Sequence, residues 1–151
     1  INASLTGHFV LSTLHTNDSS SAPTRLIDMG VQPFLISSSI VGILAQRLIR
    51  VLCKECKEAT KPSEFELALM GKDLKPDSTV YKTKGCAKCN GTGYSGRTCV
   101  SELLIMDDEI RSLILRQADA STIKKAATKA GMVTLRQNAV ELILDGTTSI
   151  E

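Results

Sequence analysis

The chain has 151 residues, 42% of them apolar and only 3% aromatic, with no Trp. That suffices for one ordinary domain, or a large subdomain with an appendage, whose core is built from Leu, Ile, Val, Ala and Met. The formal charge of +2 (18 Lys+Arg against 16 Asp+Glu) gives no electrostatic case for binding nucleic acid or an anionic membrane.

No apolar run reaches the ~18 or more residues that read as a membrane span. The best stretch, Pro33 to Leu44, is broken by Ser37, Ser38 and Ser39. The chain opens INASLTGHF, without a basic-then-apolar signal and without an initiator Met, and is expected to be a fragment of something longer. Five cysteines, an odd number with four in two close pairs, read as reduced thiols in a cytosolic protein rather than as a disulfide scaffold.

Taken in order, Phe9 to Leu14 (FVLSTL) is apolar at both parities and predicts a buried strand. Asp18 to Met29 predicts a helix with Asp18 or Ser19 as N-cap and Gly30 as its stop. Pro33 suits a first helical turn, and Phe34, Ile36, Ile40, Ile43 and Leu44 form a loose apolar stripe for a second helix. Gln46 to Leu52 predicts a strand, or a helix end running into one. Cys53 to Asn90 is a charged, turn-rich piece with a short helical pattern at Ser63 to Met70; it buries little and needs a staple. Thr98 to Met106 returns to strand character. Three helices follow, opened by Asp107 or Asp108, by Ser121 and by Thr134, the last two stopped by Gly131 and Gly146. Thr148 is expected to start a fourth.

Cys53-Lys-Glu-Cys56 and Cys86-Ala-Lys-Cys89 are two CxxC pairs separated by 29 residues. Two residues between cysteines let both sulfurs of a tight turn face one metal, with the turn's N–H groups donating to the thiolates. Two such turns make a tetrahedral four-thiolate site, the geometry zinc prefers. Lys54, Lys57 and Lys88 would offset the excess negative charge. A redox pair would need a thioredoxin-like context, and two disulfides an oxidising compartment, so one structural zinc is the reading the doubled spacing favours. Protein fills all four positions, so the metal folds the insert rather than reacting. Cys99, in a strand-like run, reads as a buried small apolar residue.

Gly91-Thr-Gly-Tyr-Ser-Gly96-Arg97-Thr98 nearly spells a phosphate-binding GxxxxGK[ST] loop, but Arg97 replaces the lysine, and it follows Cys89 and opens a strand where a P-loop opens a helix. It reads as a glycine turn leaving the second knuckle. The two histidines, His8 and His15, flank the run Phe9 to Leu14. Lone histidines are most often structural or merely exposed. Yet His15 lies where an apolar strand gives way to Thr16, Asn17 and Asp18 ahead of a helix, the place where α/β proteins put ligands.

TGHFVLSTLHTND resembles the histidine box of the secretion ATPase superfamily, which includes the motors of type II secretion and type IV pilus assembly. RLIDMG at 25–30, AQRLIRVLC at 45–53, the doubled CxxC, GYSGR at 93–97, SELL and the final LDGTTSIE follow in the same order, so the resemblance covers nearly the whole chain. The histidine box with AQRL and four cysteines is similar to the type II secretion and pilus-extension branch; retraction motors lack the zinc insert. The resemblance implies an α/β fold, the C-terminal part of a RecA-like P-loop ATPase domain with a four-cysteine zinc-binding insert and a C-terminal helical subdomain. Its divisions would be 1–52, the last part of the ATPase core with the histidine box; 53–97, the tetracysteine element; and 98–151, a return strand and the helical subdomain.

The resemblance further implies a homo-hexamer on the cytoplasmic face of the bacterial inner membrane, partnered by an inner-membrane adaptor and platform proteins and by no nucleic acid. The P-loop, acidic box and Mg²⁺-binding carboxylate of such motors lie upstream of the histidine box. ATP and Mg²⁺ are therefore expected in the full-length protein only, and this chain alone is expected neither to hydrolyse ATP nor to bind it tightly. By the same resemblance His15 sits near the γ-phosphate, His8 is its structural partner, Thr13 and Thr16 are hydrogen-bond relays, and Arg25 lies near a nucleotide or subunit edge. Cys53, Cys56, Cys86 and Cys89 map onto the family's metal-binding element. The rivals are a stand-alone zinc-ribbon interaction module, since CNGTGYSG resembles one of the four repeats of certain co-chaperones, and a zinc-dependent nucleic-acid binder. The near-neutral charge and sparse aromatics argue against the latter.

Overall fold

The structure, a computed structural model, describes residues 1–150. In chain order the elements are α1 (Asn2–Leu5), α2 (Ser21–Asp28), α3 (Pro33–Ser39), β1 (Gly42–Leu52), β2 (Lys57–Thr60), α4 (Glu64–Met70), β3 (Val80–Thr83), β4 (Tyr94–Ile105), α5 (Asp108–Leu115), α6 (Ala120–Lys129) and α7 (Leu135–Leu144), with short 3-10 turns at Gly71–Asp73 and Ala87–Cys89. β1 pairs with β4, and β2 pairs with β3 in a second two-stranded sheet. The chain forms two compact units, one from Ile1–Gln46 and Ser101–Thr134, the other from Arg47–Val100 and Leu135–Glu151. The result is a mixed α/β chain.

The first unit is built around Ile36, Leu104, Met106, Ile110, Ile114, Ile123, Ala126 and Ala127. Ile110 and Ile114 stand one turn apart on α5, and Ile123, Ala126 and Ala127 form the i, i+3, i+4 stripe of α6. Each fully buried Ile or Leu contributes about 1.5–3 kcal/mol. Asp107 caps α5 by accepting from the Ile110 N–H (2.8 Å), and Asp119 caps α6 by accepting from the Thr122 N–H (2.9 Å). The expected cap Ser121 instead lies inside α6. The helix expected over 18–29 is shorter, Ser21–Asp28. Asp18 still serves its N-terminus, accepting from the Ser21 N–H at 2.9 Å.

The second helix is cut short. α3 ends at Ser39, where the Ser38 and Ser39 hydroxyls donate back to the Phe34 and Leu35 carbonyls. Such bonds compete with the helix. Ile43 and Leu44, expected on a helical stripe, belong to β1 because pairing with β4 satisfies their backbone. Phe34 and Leu44 are left exposed.

The second unit has a small core: Leu74, Val80 and Ile143, with Leu67, Met70 and Ile150 packed against it. β2 and β3 are antiparallel, Lys57 opposite Thr83 and Thr60 opposite Val80. α4 carries a full capping box, Ser63 accepting from the Glu66 N–H while Glu66 accepts from the Ser63 N–H (2.7 Å). The chain after α7 does not open the helix expected at Thr148. It turns back instead, with the Thr147 and Thr148 N–H groups donating to the Leu142 carbonyl (2.9 and 3.1 Å); Thr147 accepts from the Leu52 N–H (2.8 Å) and the Thr148 hydroxyl donates to the Arg50 carbonyl (2.8 Å). Glu151 lies outside the described residues.

Candidate metal centre and the histidine segment

The CxxC spacing makes two tight turns. At the first, the Cys56 and Lys57 N–H groups donate to the Cys53 carbonyl (3.3 and 3.0 Å); at the second, the Gly91 N–H donates to the Cys86 carbonyl (2.9 Å). The Cys53 N–H donates to the Gly93 carbonyl (2.9 Å), tying the start of one knuckle to the end of the other. Gly85 and Gly93 lie at φ +80° and +78°, and a Cβ on either would collide with Gly91 or Thr83 respectively, so both positions require glycine.

The four sulfurs all lie within 4.8 Å of one another. Individual edges are 3.8 Å (Cys53–Cys86), 3.9 Å (Cys56–Cys89) and 3.7 Å (Cys86–Cys89). A tetrahedral four-thiolate site with metal–sulfur bonds of ~2.3 Å has sulfur–sulfur edges of ~3.8 Å, so the donor set fits such a metal. The cysteines are free thiols, not disulfides.

The environment favours thiolate at one corner. Burial alone would raise the Cys89 thiol, but the N–H groups of Cys86 (3.1 Å) and Gly93 (3.2 Å) aim at its sulfur, and with the Cys86 and Cys56 thiols they bring it down to about 6. At Cys53 the Glu55 N–H pulls downward, but burial and the neighbouring Cys56 and Cys86 push the thiol up to about 11. Of the lysines expected to supply that charge, Lys88 pairs with Glu55 (2.8 Å), and Lys57 donates to the Gly146 carbonyl (2.7 Å) and stands over the Tyr81 ring. Thr83, whose hydroxyl is 3.2 Å from the Cys56 sulfur, has no signature in the spacing.

Cys99 is exposed, which corrects its expected burial. β4 buries Val100, Glu102 and Leu104, so the odd-numbered positions face out. The near-P-loop at 91–98 is a glycine turn leading into β4 at Tyr94, as its position after Cys89 indicated.

The histidine segment is different. Phe9 to Leu14 is not a strand, and its side chains up to Thr13 are uncovered, Phe9 83% and Leu11 86% exposed, with Leu14 half-buried. The expected buried strand is therefore corrected: a strand apolar on both faces needs neighbours on both edges, and no described strand pairs with it. His8 folds back on the end of α1. The Thr6 hydroxyl donates its one proton to the Ala3 carbonyl (2.8 Å), so Nδ1 of His8 carries the proton shared with Thr6 Oγ1 (3.0 Å) and the Ala3 carbonyl (3.3 Å). His15 and Thr13 are exposed, and so is Arg25 on α2.

Order returns at Thr16, whose hydroxyl donates to the Asp18 carbonyl (3.0 Å). Asp18 receives Lys124 at 3.1 Å, and Ser19 is held by Glu102. The sequence reading missed Glu102. Nothing in the local pattern marked it, because which parity of β4 turns inward is set by its neighbours.

Residues 1–151 match the sequence model of a family described as type II/IV secretion system protein. The chain is 46% identical over 151 residues to the type II secretion system protein E of Pseudomonas aeruginosa, covering all of this chain and 30% of that protein. It is 46% identical to the type IV pilus assembly ATPase PilB of Thermus thermophilus, covering 99% of this chain and 17% of that protein. It is 44% identical to the type II secretion system ATPase E of Vibrio cholerae, again covering 30% of that protein. The chain thus spans less than a third of the length of these relatives.

Proposed function

The chain belongs to the type II/IV secretion system protein family, and from that premise we propose that it is the C-terminal part of a hexameric ATPase motor that powers type II protein secretion. The full-chain similarity to relatives named as secretion ATPases carries the reading. The Phe9–Leu14 run, with Phe9, Val10 and Leu11 exposed, supports it: an apolar segment patterned for the middle of a parallel sheet is what the last part of a RecA-like core would contribute. On this reading 1–52 completes the ATPase core, 53–97 is the metal element and 98–151 is the return strand with the helical subdomain. The equal identity to a pilus assembly ATPase favours pilus extension as the second reading.

The metal is zinc. Four thiolates at tetrahedral spacing suit zinc or an iron–sulfur cluster, and two knuckles closing on one point suit a single ion. Zinc, when bound, supplies folding free energy to an element with a small core and no reactive position. Cys53, Cys56, Cys86 and Cys89 hold it. In the full-length protein, with ATP and Mg²⁺, His15 donates a hydrogen bond to the γ-phosphate and stabilises charge developing there, without acting as the base. Thr13 and Thr16 relay hydrogen bonds beside it, His8 orders the start of the segment, and Arg25 faces a nucleotide or subunit edge. The motor sits on the cytoplasmic side of the inner membrane beside an adaptor and platform protein. No helix of the described chain is long and apolar enough to cross a membrane.

Two assays test this. Elemental analysis of the purified chain is expected to find about one zinc per chain, lost in Cys53→Ser/Cys56→Ser; iron, or thiols without metal, overturns the zinc assignment. ATP turnover by the full-length protein is expected to collapse in His15→Ala, while the isolated 151 residues are inactive in both forms. Turnover by the isolated wild-type chain would place the catalytic groups within it and sink the proposal.

A further inference from the structure

Glu102 is buried to 1% exposure in the inward row of β4, between Val100 and Leu104. A carboxylate in that position is costly unless paired. Its Oε1 accepts two donors from one residue, the Ser19 N–H at 3.0 Å and the Ser19 hydroxyl at 2.6 Å. The second is short, as expected of a charge-assisted bond. Ser19 is itself fully buried, the first such residue after the exposed histidine segment. One position earlier, Asp18 takes Lys124 from α6 (3.1 Å) and caps α2 through the Ser21 N–H (2.9 Å). The Thr16 hydroxyl closes the intervening turn on the Asp18 carbonyl (3.0 Å). Residues 16–19 are therefore pinned at three points, immediately after a run from Gly7 to His15 that no strand holds.

We propose that Glu102 is a positioning residue for His15: its buried carboxylate clamps Ser19 and so fixes the carboxyl end of the histidine segment against β4, α2 and α6. The inference rests on the reading that His15 meets the nucleotide. A purely structural purpose explains the geometry poorly, because an apolar residue would fill the inward row at lower desolvation cost. A carboxylate there gives a directional hold on one serine, and through Thr16 on the residue that must be placed within hydrogen-bond distance of a phosphate. Misplacement of such a group lowers turnover far more than binding.

The test uses the full-length protein with Glu102→Leu, which removes both acceptors, and Glu102→Gln, which keeps one amide oxygen for Ser19. The readouts are kcat and KM for ATP well below the Tm, and amide exchange over residues 16–19. For Glu102→Leu, kcat is expected to fall about tenfold with KM within about twofold of the parent, and the Ser19 amide to exchange faster while those of α6 do not. Glu102→Gln is expected to fall between; if the leucine variant does not fold, the glutamine variant alone decides, by the same split. A kcat equal to the parent's in a folded variant, or unchanged exchange at 16–19, overturns the proposal. A parent with no ATP turnover refutes the motor reading instead, and the exchange measurement then still decides whether Glu102 clamps the segment.

Discussion

In the tetracysteine element the second knuckle is completed by residues a few positions away, Cys86 by the N–H of Gly91 and Cys89 by those of Cys86 and Gly93, and the first is tied to it by the Cys53 N–H on the Gly93 carbonyl. In the histidine segment no described strand pairs with Phe9 to Leu14, and Phe9 and Leu11 lie open. Both are short, both carry the residues richest in chemistry, and they differ in where their partners come from. A metal knuckle is a local structure whose long-range need is met by four sulfurs and one ion. A central strand has no local reason to exist, because its hydrogen bonds and both its faces belong to other strands.

The largest effect is expected at the four cysteines. Chelation, or Cys53→Ser/Cys56→Ser, is expected to abolish amide protection of β2 and β3, since structural zinc supplies on the order of 10 kcal/mol to small metal-folded domains. Retained protection would mean that the small core of Leu74, Val80 and Ile143 suffices. Next in size, Leu104→Ala or Ile123→Ala should cost about 2–5 kcal/mol in denaturant unfolding, whereas Phe9→Ser in the same chain should stay within about 0.5 kcal/mol. A large loss at Phe9 would show that the segment is covered after all.

Smaller effects come from the carboxylates. Asp119→Ala removes the α6 cap and should cost about 1 kcal/mol. Acid should act on the same group and two others. Burial would raise Asp18, but the Ser21 hydroxyl, Lys124 and the Ser21 N–H together hold it below the usual carboxylate range. Burial would raise Glu66 too, but Ser63 and Lys82 hold it down, and the Thr122 N–H and hydroxyl lower Asp119. Groups depressed on folding contribute stability that is complete above their ordinary values and lost as pH falls through the depressed ones. The carboxylate contribution to the denaturation midpoint should therefore decline below about pH 5, a fall that Asp119→Ala makes shallower; a midpoint that rises on acidification through that range contradicts the sign. Smallest of all, Lys84→Ala, which breaks the exposed pair with Glu58 at 2.8 Å, should change stability by less than about 1 kcal/mol.

What was legible follows the same division. The start of α5 was readable to within one residue, Asp107 or Asp108, because a cap is a contact over three residues. The four cysteines were readable because ligand spacing is a local constraint, and Gly93 because a tight turn leaves no room for a Cβ. The end of α3 was not, since Ile43 and Leu44 fit a helical stripe as well as a strand until β4 pairs with them. Nor was Cys99, whose exposure depends on which parity of β4 turns inward.

Sequence alone was enough for the pairing of the two CxxC turns, the helices α4 and α5, and the glycine turn that carries the second knuckle into β4. In each, the stabilising partner lies within a few residues, or is named by the residue type itself. It took the folded chain to show that Ile43 and Leu44 pair in a sheet, that Phe9, Val10 and Leu11 lie exposed, and that Glu102 is buried on Ser19 from 83 residues away. Those outcomes turn on which distant groups arrive to satisfy a backbone or a charge, and a local pattern records the demand for a partner without specifying its source.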